Sequence, residues 1–257
     1  MYDILEKRDL VFATVEGVSL ALDLFFPKTE KAVPLLIFFH GGGLESGDKT
    51  DYMPNVQELV REGIAVATPN YRMYPQVSHP AFLADAASAV SWLKAHVNEH
   101  FPCNGIFIGG HSAGAYLSMM LCFDTRWLAA EGLDAHAFDG YLFASGQPTT
   151  HLNILKYRGE DMRRAMIDET AALFHVTGPK GPPLQILCAD NDFPARLEQT
   201  QLLVATLKHY AYESEIDFQV LQGHDHGSYL ERVPGENRPS LFFERAVPFI
   251  RRHTPTR

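Results

Sequence analysis

A serine between two glycines is the strongest chemical signal in this sequence. Residues 110–114 read Gly-His-Ser-Ala-Gly, and they stand between apolar runs at 106–108 and 116–123. A Gly-x-Ser-x-Gly pentapeptide at a strand-to-helix turn exposes the serine hydroxyl, and its glycines relieve crowding against the flanking elements. The pattern therefore predicts Ser112 as a nucleophile that is followed by the N-terminus of a helix.

Three glycines after an apolar run supply a second signal. His40 and the glycines at 41–43 follow the continuously apolar residues 35–39. Backbone N–H groups in such a loop can turn inward and stabilise the oxyanion of a tetrahedral acyl-transfer intermediate. A phosphate-binding loop would need a glycine before its Lys-Thr pair, and Asp48 occupies that place. The loop therefore favours acyl transfer over nucleotide binding.

A serine nucleophile also needs a general base, and the base needs an acid to orient it. In an open α/β sheet both should follow later strands, in the order acid and then histidine. Two carboxylates, Asp190 and Asp192, directly follow one apolar run, and two histidines, His224 and His226, follow the next alternating run. The residues alone leave the choice within each pair open.

The elements that must position these residues alternate along the chain. The sequence predicts strands near 10–15, 19–25, 35–39, 64–69, 106–108, 141–144, 184–189 and 216–221. It predicts helices near 54–62, 80–96, 116–123, 197–210 and 246–252. Such alternation indicates an α/β fold with a mostly parallel central sheet and helices on both faces.

Two segments depart from the alternating pattern. The first two strands flank a Glu-Gly turn at 16–17, which predicts an antiparallel hairpin at a sheet edge. Residues 147–183 fit neither strand nor helix periodicity, and we expect a small insertion there, as a lid or as inserted helices beside the site. With no repeats or linkers, residues 1–257 are predicted to form a single domain.

Composition limits the function classes. The formal net charge of −9 and the sequence pI near 5.7 argue against nucleic acid and anionic membrane surfaces as partners. No apolar run approaches the length of a membrane span, and no cysteine or histidine spacing indicates a metal. We expect a small-molecule substrate, no cofactor and a cytoplasmic protein, or a secreted one if a leader has been removed. A homodimer is left open.

Taken together, these motifs resemble the hormone-sensitive-lipase-like branch of α/β-hydrolase esterases. They are equally similar to the feruloyl and acetyl esterases and the kynurenine formamidases related to that branch. In those families the acid stands three residues after a small strand-end residue, which implies Asp192 after Ala189. The base closes a Gly-x-x-His, which implies His226 after Gly223. The resemblance implies the α/β-hydrolase fold for nearly the whole chain.

Supporting residues follow partly from the resemblance and partly from the residues themselves. The resemblance implies an oxyanion hole formed by Gly42, Gly43 and the amide of Ala113. Asp190 and His224 are interpreted as loop residues, although a supporting role for either stays open. His40 is expected to order its own loop, and His111 to be a packing or turn residue. A further buried structural set is implied for Tyr71, Arg72 and Asp85.

The predicted activity is that of a serine carboxylesterase, a carboxylic ester hydrolase that forms an acyl-enzyme. Only 39 residues precede His40, and the hairpin uses much of that length, so no room remains for a full cap. The open pocket that follows suits short-chain acyl esters, or feruloyl and acetyl esters on carbohydrates. One alternative is an amidase of the kynurenine formamidase type. Another is a non-catalytic ligand-binding module, because this fold can lose its triad.

Overall fold

The computed structural model describes residues 1–231 and 239–256. An eight-stranded sheet runs through its centre in the order β1-β2-β4-β3-β5-β6-β7-β8. In chain order the strands are β1 (Ile4–Val15), β2 (Val18–Pro27), β3 (Val33–Phe39), β4 (Ala65–Pro69), β5 (Cys103–His111), β6 (Gly140–Ala144), β7 (Leu184–Asn191) and β8 (Ile216–Asp225).

Helices occupy most of the connections between these strands. They are α1 (Met53–Arg61), α2 (Ala81–His96), α3 (Ala113–Phe123), α4 (Arg126–Ala130), α5 (Leu152–Tyr157), α6 (Arg196–His209) and α7 (Leu241–His253). The five predicted helices are all present. The short helices α4 and α5 were not predicted individually. In the described ranges, no helix combines the length and apolarity needed to cross a bilayer.

The sheet is parallel from β4 to β8 and antiparallel at one edge, which confirms the predicted mixed architecture. The edge hairpin pairs β1 with β2 through a turn in which Glu16 and Gly17 have φ of 51° and 81°. Two positive φ values in succession are typical of a tight hairpin turn whose twist matches that of the strands.

Both faces of the sheet are covered, because alternate residues of a strand point to opposite faces. On β3, Ile37 and Phe39 belong to the core cluster that includes α2, α3 and α6. Leu36 and Phe38 belong to a second cluster with α1 and α7. Every residue of β3 is buried, which explains why this strand reads as an unbroken apolar run.

The segment 147–183 folds over the carboxyl edge of the sheet. It contains α5 and a short 3-10 turn, Ala172–His175, connected by irregular chain. Its structure therefore matches the expectation of inserted helices rather than that of a small lid. The carboxyl ends of the parallel strands meet at this edge, where ligand sites of open α/β sheets lie.

Candidate active site

Ser112 sits in a strained turn between β5 and α3. Its φ and ψ are 56° and −115°, a backbone conformation that non-glycine residues rarely adopt. The turn is held from both sides: the Ser112 amide donates to the Ala144 carbonyl at 2.8 Å, and the Tyr116 amide donates to the Ser112 carbonyl at 3.0 Å. Strain of this kind persists only where the surroundings impose it, and here it projects the hydroxyl outward.

The glycines on either side of Ser112 are required by close backbone approach. A Cβ on Gly110 would lie 2.5 Å from the Gly114 carbonyl carbon and 2.7 Å from the Phe39 oxygen. A Cβ on Gly114 would lie 2.6 Å from the His40 oxygen. Any side chain at either position would therefore push β3 away from the turn that carries Ser112.

The structure brings the predicted base and acid to Ser112. The Nε2 of His226 lies 2.7 Å from Ser112 Oγ, and its Nδ1 lies 2.6 Å from Asp192 Oδ1. A carboxylate only accepts, so Nδ1–H donates to Asp192, and Nε2 of the neutral ring accepts from the serine hydroxyl. This arrangement can draw the proton from the hydroxyl as Ser112 attacks an electrophile.

Asp192 is buried and kept ionised. Its side chain is 1% exposed. Burial acts to raise its pKa, but hydrogen bonds from His226 and Ser145 outweigh that effect and leave the pKa below its ordinary value. The Phe193 amide adds a further donor to Oδ1 at 2.7 Å. An ionised carboxylate at this point can hold the His226 ring and stabilise the imidazolium that forms on proton transfer.

The other two candidates from the sequence serve their loops. Asp190 Oδ1 accepts from the Gly223 amide at 2.8 Å and from the His224 amide at 3.2 Å. The Nδ1 of His224 lies 3.2 Å from the Ser228 hydroxyl. Asp190 therefore connects the end of β7 to the end of β8, which directly precedes His226.

The glycine-rich loop after β3 contains three successive residues in the left-handed backbone conformation. Gly42, Gly43 and Leu44 have φ of 101°, 67° and 64° in succession. The Gly42 carbonyl accepts from the Glu45 and Ser46 amides at 3.1 and 3.0 Å. Because the N–H of a peptide unit points opposite to its C=O, fixing this carbonyl also fixes the direction of the Gly43 N–H.

His40 orders this loop, as predicted. Its Nδ1 lies 2.8 Å from the Gly41 carbonyl, and its ring stacks on Tyr71 with centroids 4.4 Å apart. Burial lowers its pKa, so the ring is neutral and donates from Nδ1. The same peptide unit carries the Gly42 N–H. The predicted structural set is also present, because Arg72 binds Asp85 through two contacts of 2.8 and 2.9 Å.

The insertion reaches the loop through residues that the sequence did not indicate. The Nδ2 of Asn153, in α5, donates to the Gly43 carbonyl at 2.5 Å and to Glu45 Oε2 at 3.0 Å. His151 caps α5, with Nδ1 accepting from the Asn153 amide at 3.2 Å. Burial lowers the pKa of His151 to about 3, so this ring is neutral.

Buried polar residues bind Ser145, which contributes a hydrogen bond to the acid Asp192. The Tyr229 hydroxyl donates to Ser145 Oγ at 2.8 Å. Arg196, which is 3% exposed, donates to the Ser145 carbonyl and to Gln147 Oε1. In the described parts of the chain, no carboxylate forms an ion pair with Arg196. The same ranges contain no group of three or more His, Cys, Asp or Glu side chains arranged to hold a metal ion.

Protein families and curated sequences provide several similar proteins. The BD-FAE family model matches residues 22–149. The carboxylic ester hydrolase LipN of Mycobacterium tuberculosis is 34% identical over 37% of this chain and 26% of its own length. The probable carboxylesterase 5 of Arabidopsis thaliana is 31% identical over 46% of this chain and 41% of its own. The matched region thus spans less than half the length of these two relatives. Kynurenine formamidase of Drosophila melanogaster is 23% identical over 85% of this chain and 74% of its own.

Solved structures share the fold across the whole chain. Esterase Est2 of Thermogutta terrifontis superposes with a TM-score of 0.77 at 20% identity, covering 100% of this chain and 97% of that one. Esterase B of Lactobacillus rhamnosis gives a TM-score of 0.77 at 17% identity, covering 96% and 85%. The sheet order and these superpositions show that the chain has the α/β-hydrolase fold, and its sequence is similar to carboxylesterases and kynurenine formamidases.

Proposed function

We propose that this chain hydrolyses carboxylic esters, with Ser112 as nucleophile, His226 as general base and acid, and Asp192 as the orienting carboxylate. The observation that carries the proposal is the unbroken hydrogen-bonded chain from Ser112 Oγ through His226 to Asp192, with contacts of 2.7 and 2.6 Å. The carboxylesterases among its relatives support the same reaction.

The first half of the reaction forms an acyl-enzyme. His226 Nε2 takes the proton of the Ser112 hydroxyl while Oγ attacks the ester carbonyl carbon. The tetrahedral intermediate then collapses, and His226 gives its proton to the leaving alcohol. Asp192 holds the ring in one tautomer through both steps, so the Nε2 lone pair stays aimed at Oγ.

The oxyanion of the intermediate is assigned to the amides of Gly42, Gly43 and Ala113. The carbonyls that precede the two glycine amides are held by hydrogen bonds, so these N–H groups are directed before substrate arrives. Ala113 begins α3, whose N-terminus adds a favourable dipole. Loss of one such donor typically raises the barrier by about 3–4 kcal/mol.

The second half of the reaction is hydrolysis of the acyl-enzyme. Water takes the place of the leaving alcohol, and His226 removes its proton as it attacks the acyl carbon. The oxyanion again lies against the same amides. As the intermediate collapses, the bond between the acyl carbon and Ser112 Oγ breaks, His226 returns its proton to Oγ, and the carboxylic acid is released. No cofactor takes part in the proposed cycle.

Short-chain acyl esters, or feruloyl and acetyl esters of carbohydrates, are the proposed substrate class. Residues 4–27 form the edge hairpin, so this stretch belongs to the sheet rather than to a cap over the site. The Thermogutta esterase of the same fold was solved with propionate and with butyrate bound, which motivates testing short acyl groups first.

Hydrolysis of N-formylkynurenine is the second candidate, and one observation favours it. The kynurenine formamidases of Drosophila and of Danio rerio align with 85% and 89% of this chain, and over 74% and 77% of their own lengths. The carboxylesterase alignments are shorter. The same three residues would perform the reaction, with the formyl carbonyl as the electrophile.

The proposal is tested with p-nitrophenyl acetate, butyrate and octanoate, methyl ferulate and N-formylkynurenine, with Ser112→Ala beside the wild type. We expect ester turnover in the wild type and none in the variant, whose fold is checked by circular dichroism. Turnover that persists in Ser112→Ala contradicts the mechanism. Turnover of the formamide alone selects the amidase. A wild type inactive on every compound favours the ligand-binding module.

A further inference from the structure

His111, the second residue of the serine pentapeptide, has both ring nitrogens in hydrogen bonds. Its Nδ1 lies 2.9 Å from the Tyr52 hydroxyl, and its Nε2 lies 2.7 Å from the main-chain carbonyl of His226. The His111 and His226 rings are 4.9 Å apart, centroid to centroid. The residue before the nucleophile thus contacts the main chain of the base.

The partners of His111 determine where its proton lies. A carbonyl oxygen only accepts, so Nε2–H must donate to His226. Burial lowers the pKa of His111 to about 3, so the ring carries one proton at neutral pH. Nδ1 is therefore an acceptor, and the Tyr52 hydroxyl donates to it. Only one arrangement of protons therefore joins the Tyr52 hydroxyl, the His111 ring and the His226 carbonyl.

Tyr52 extends this chain to the oxyanion loop. It directly precedes α1, and burial raises its pKa to about 12. A Cβ on Gly41 would lie 3.0 Å from the Tyr52 oxygen and 3.3 Å from His111 Nδ1. The Tyr52 hydroxyl thus lies against Gly41, and hydrogen bonds run from Tyr52 to His111 and from His111 to the His226 carbonyl.

We propose that Tyr52 and His111 are positioning residues, which hold the oxyanion loop and the main chain of the base at one fixed separation. The inference rests on the proposed function, because it assigns these two side chains a role in that reaction. Neither side chain touches the reacting atoms. The geometry that they hold is the distance between the amides after Gly41 and the ring of His226.

His226 needs such support because its main chain lies outside the sheet. β8 ends at Asp225, one residue earlier. Asp192 and Ser112 bind the ring of His226, whereas His111 binds its carbonyl. A displacement of about 1 Å at a reacting group can cost about a hundredfold in rate. A lost contact to the carbonyl should therefore lower kcat more than substrate binding.

Two amide substitutions at His111 separate positioning from simple packing. The Gln side chain reaches as far as Nε2 of histidine and can donate to the His226 carbonyl. The Asn side chain reaches only as far as Nδ1. We expect His111→Asn to lower kcat by about a hundredfold with KM unchanged, since the base loop shifts. We expect His111→Gln to recover most of the loss. Tyr141→Phe is the control, because it removes a buried hydroxyl that donates to Ala135 at 3.0 Å, at the start of β6.

A readout without substrate makes the test independent of the proposed ester chemistry. The low-field proton NMR signal of the hydrogen bond between His226 and Asp192 should be sharp in the wild type and His111→Gln, and broadened in His111→Asn. Should His111→Asn fail to fold, Tyr52→Phe takes its place, with a smaller loss of kcat and the same broadening. Equal kcat for the Asn and Gln variants, or an unchanged signal in the variant that lacks the contact, would overturn the proposal.

Discussion

The Phe193 ring stacks on the imidazole of His226, with centroids 4.0 Å apart and planes inclined by 24°. The same residue donates its amide to Asp192 at 2.7 Å, and its side chain is 50% exposed. Phe193 thus joins the acid and the base: its main chain holds the carboxylate, and its ring covers one face of the histidine.

Removal of this ring should loosen the position of the His226 ring without displacing Asp192. In Phe193→Ala the amide contact to Asp192 remains, whereas the stack on His226 is lost. Aromatic pairs contribute about 0.5–1.5 kcal/mol beyond the area that they bury, so we expect kcat/KM to fall by about two- to tenfold. Initial rates on p-nitrophenyl acetate measure the change.

Phe174→Ala is the matched control for that variant. Phe174 is 52% exposed and also contacts a histidine, with its centroid 5.2 Å from His175. Its loss removes a similar exposed ring beside an imidazole that has no proposed part in the reaction. An equal fall in kcat/KM for both variants would contradict a specific role of Phe193.

The contact between α5 and the oxyanion loop leads to a second prediction. Asn153 donates to the Gly43 carbonyl and to Glu45, so it restrains the peptide unit that directly follows Gly43, whose N–H is a proposed oxyanion donor. We expect Asn153→Ala to lower kcat by about tenfold, less than the hundredfold or more of losing a donor outright. KM should change little, because the loop acts on the intermediate.

Asn153→Asp serves as the sharper variant at the same position. It keeps the shape of the side chain but replaces the donor with a carboxylate that faces the Gly43 carbonyl and Glu45. Repulsion should displace the loop further, so kcat should fall below that of Asn153→Ala. Steady-state kinetics at pH 7 measure kcat for both variants. If Asn153→Asp is as active as the wild type, Asn153 does not anchor the loop.

Much of the fold was predictable because its signals are local. Apolar runs and their periodicity identified every strand of the sheet. The inner parallel strands β3 to β7 are almost entirely buried and read as apolar runs, whereas the edge strand β8 is only partly buried and alternates apolar with polar residues. The ends of those strands carried Ser112, Asp192 and His226 in chain order, so the residues that meet at the site were among the candidates. The residues alone left Asp190 open beside Asp192. In the structure, the register between β7 and β8 shifts after Ala189, which no local pattern indicates.

The supporting contacts were not predictable, because they join distant positions. The hydrogen bond between Asn153 and Gly43 spans 110 residues, and that between His111 and His226 spans 115. Neither partner stands in a periodic pattern that marks its role. Residues 147–183 lack such periodicity altogether, so the approach of α5 to the loop follows only from tertiary packing. Phe193 had one signal, its position next to a candidate acid.

The buried histidine that caps α5 should make the protein sensitive to mild acid. The pKa of His151 falls from 6.5 to about 3 on burial. Between these values the unfolded chain binds a proton that the folded chain does not, so the free energy of unfolding decreases as pH falls. The free energy of unfolding therefore keeps its full value above pH 6.5 and decreases progressively towards pH 3. At pH 5 the loss from this one group is about 2 kcal/mol.

His151→Asn isolates that contribution, because asparagine is also a favourable N-cap and its oxygen can accept from the Asn153 amide. Urea unfolding at pH 7 and pH 5 should show that the wild type loses about 2 kcal/mol more than this variant over the interval. His136→Asn, at an exposed position, should retain the wild-type loss. Equal losses in the wild type and His151→Asn would show that His151 does not remain neutral in the folded protein at pH 5, since a ring that protonates without unfolding the chain carries no such penalty.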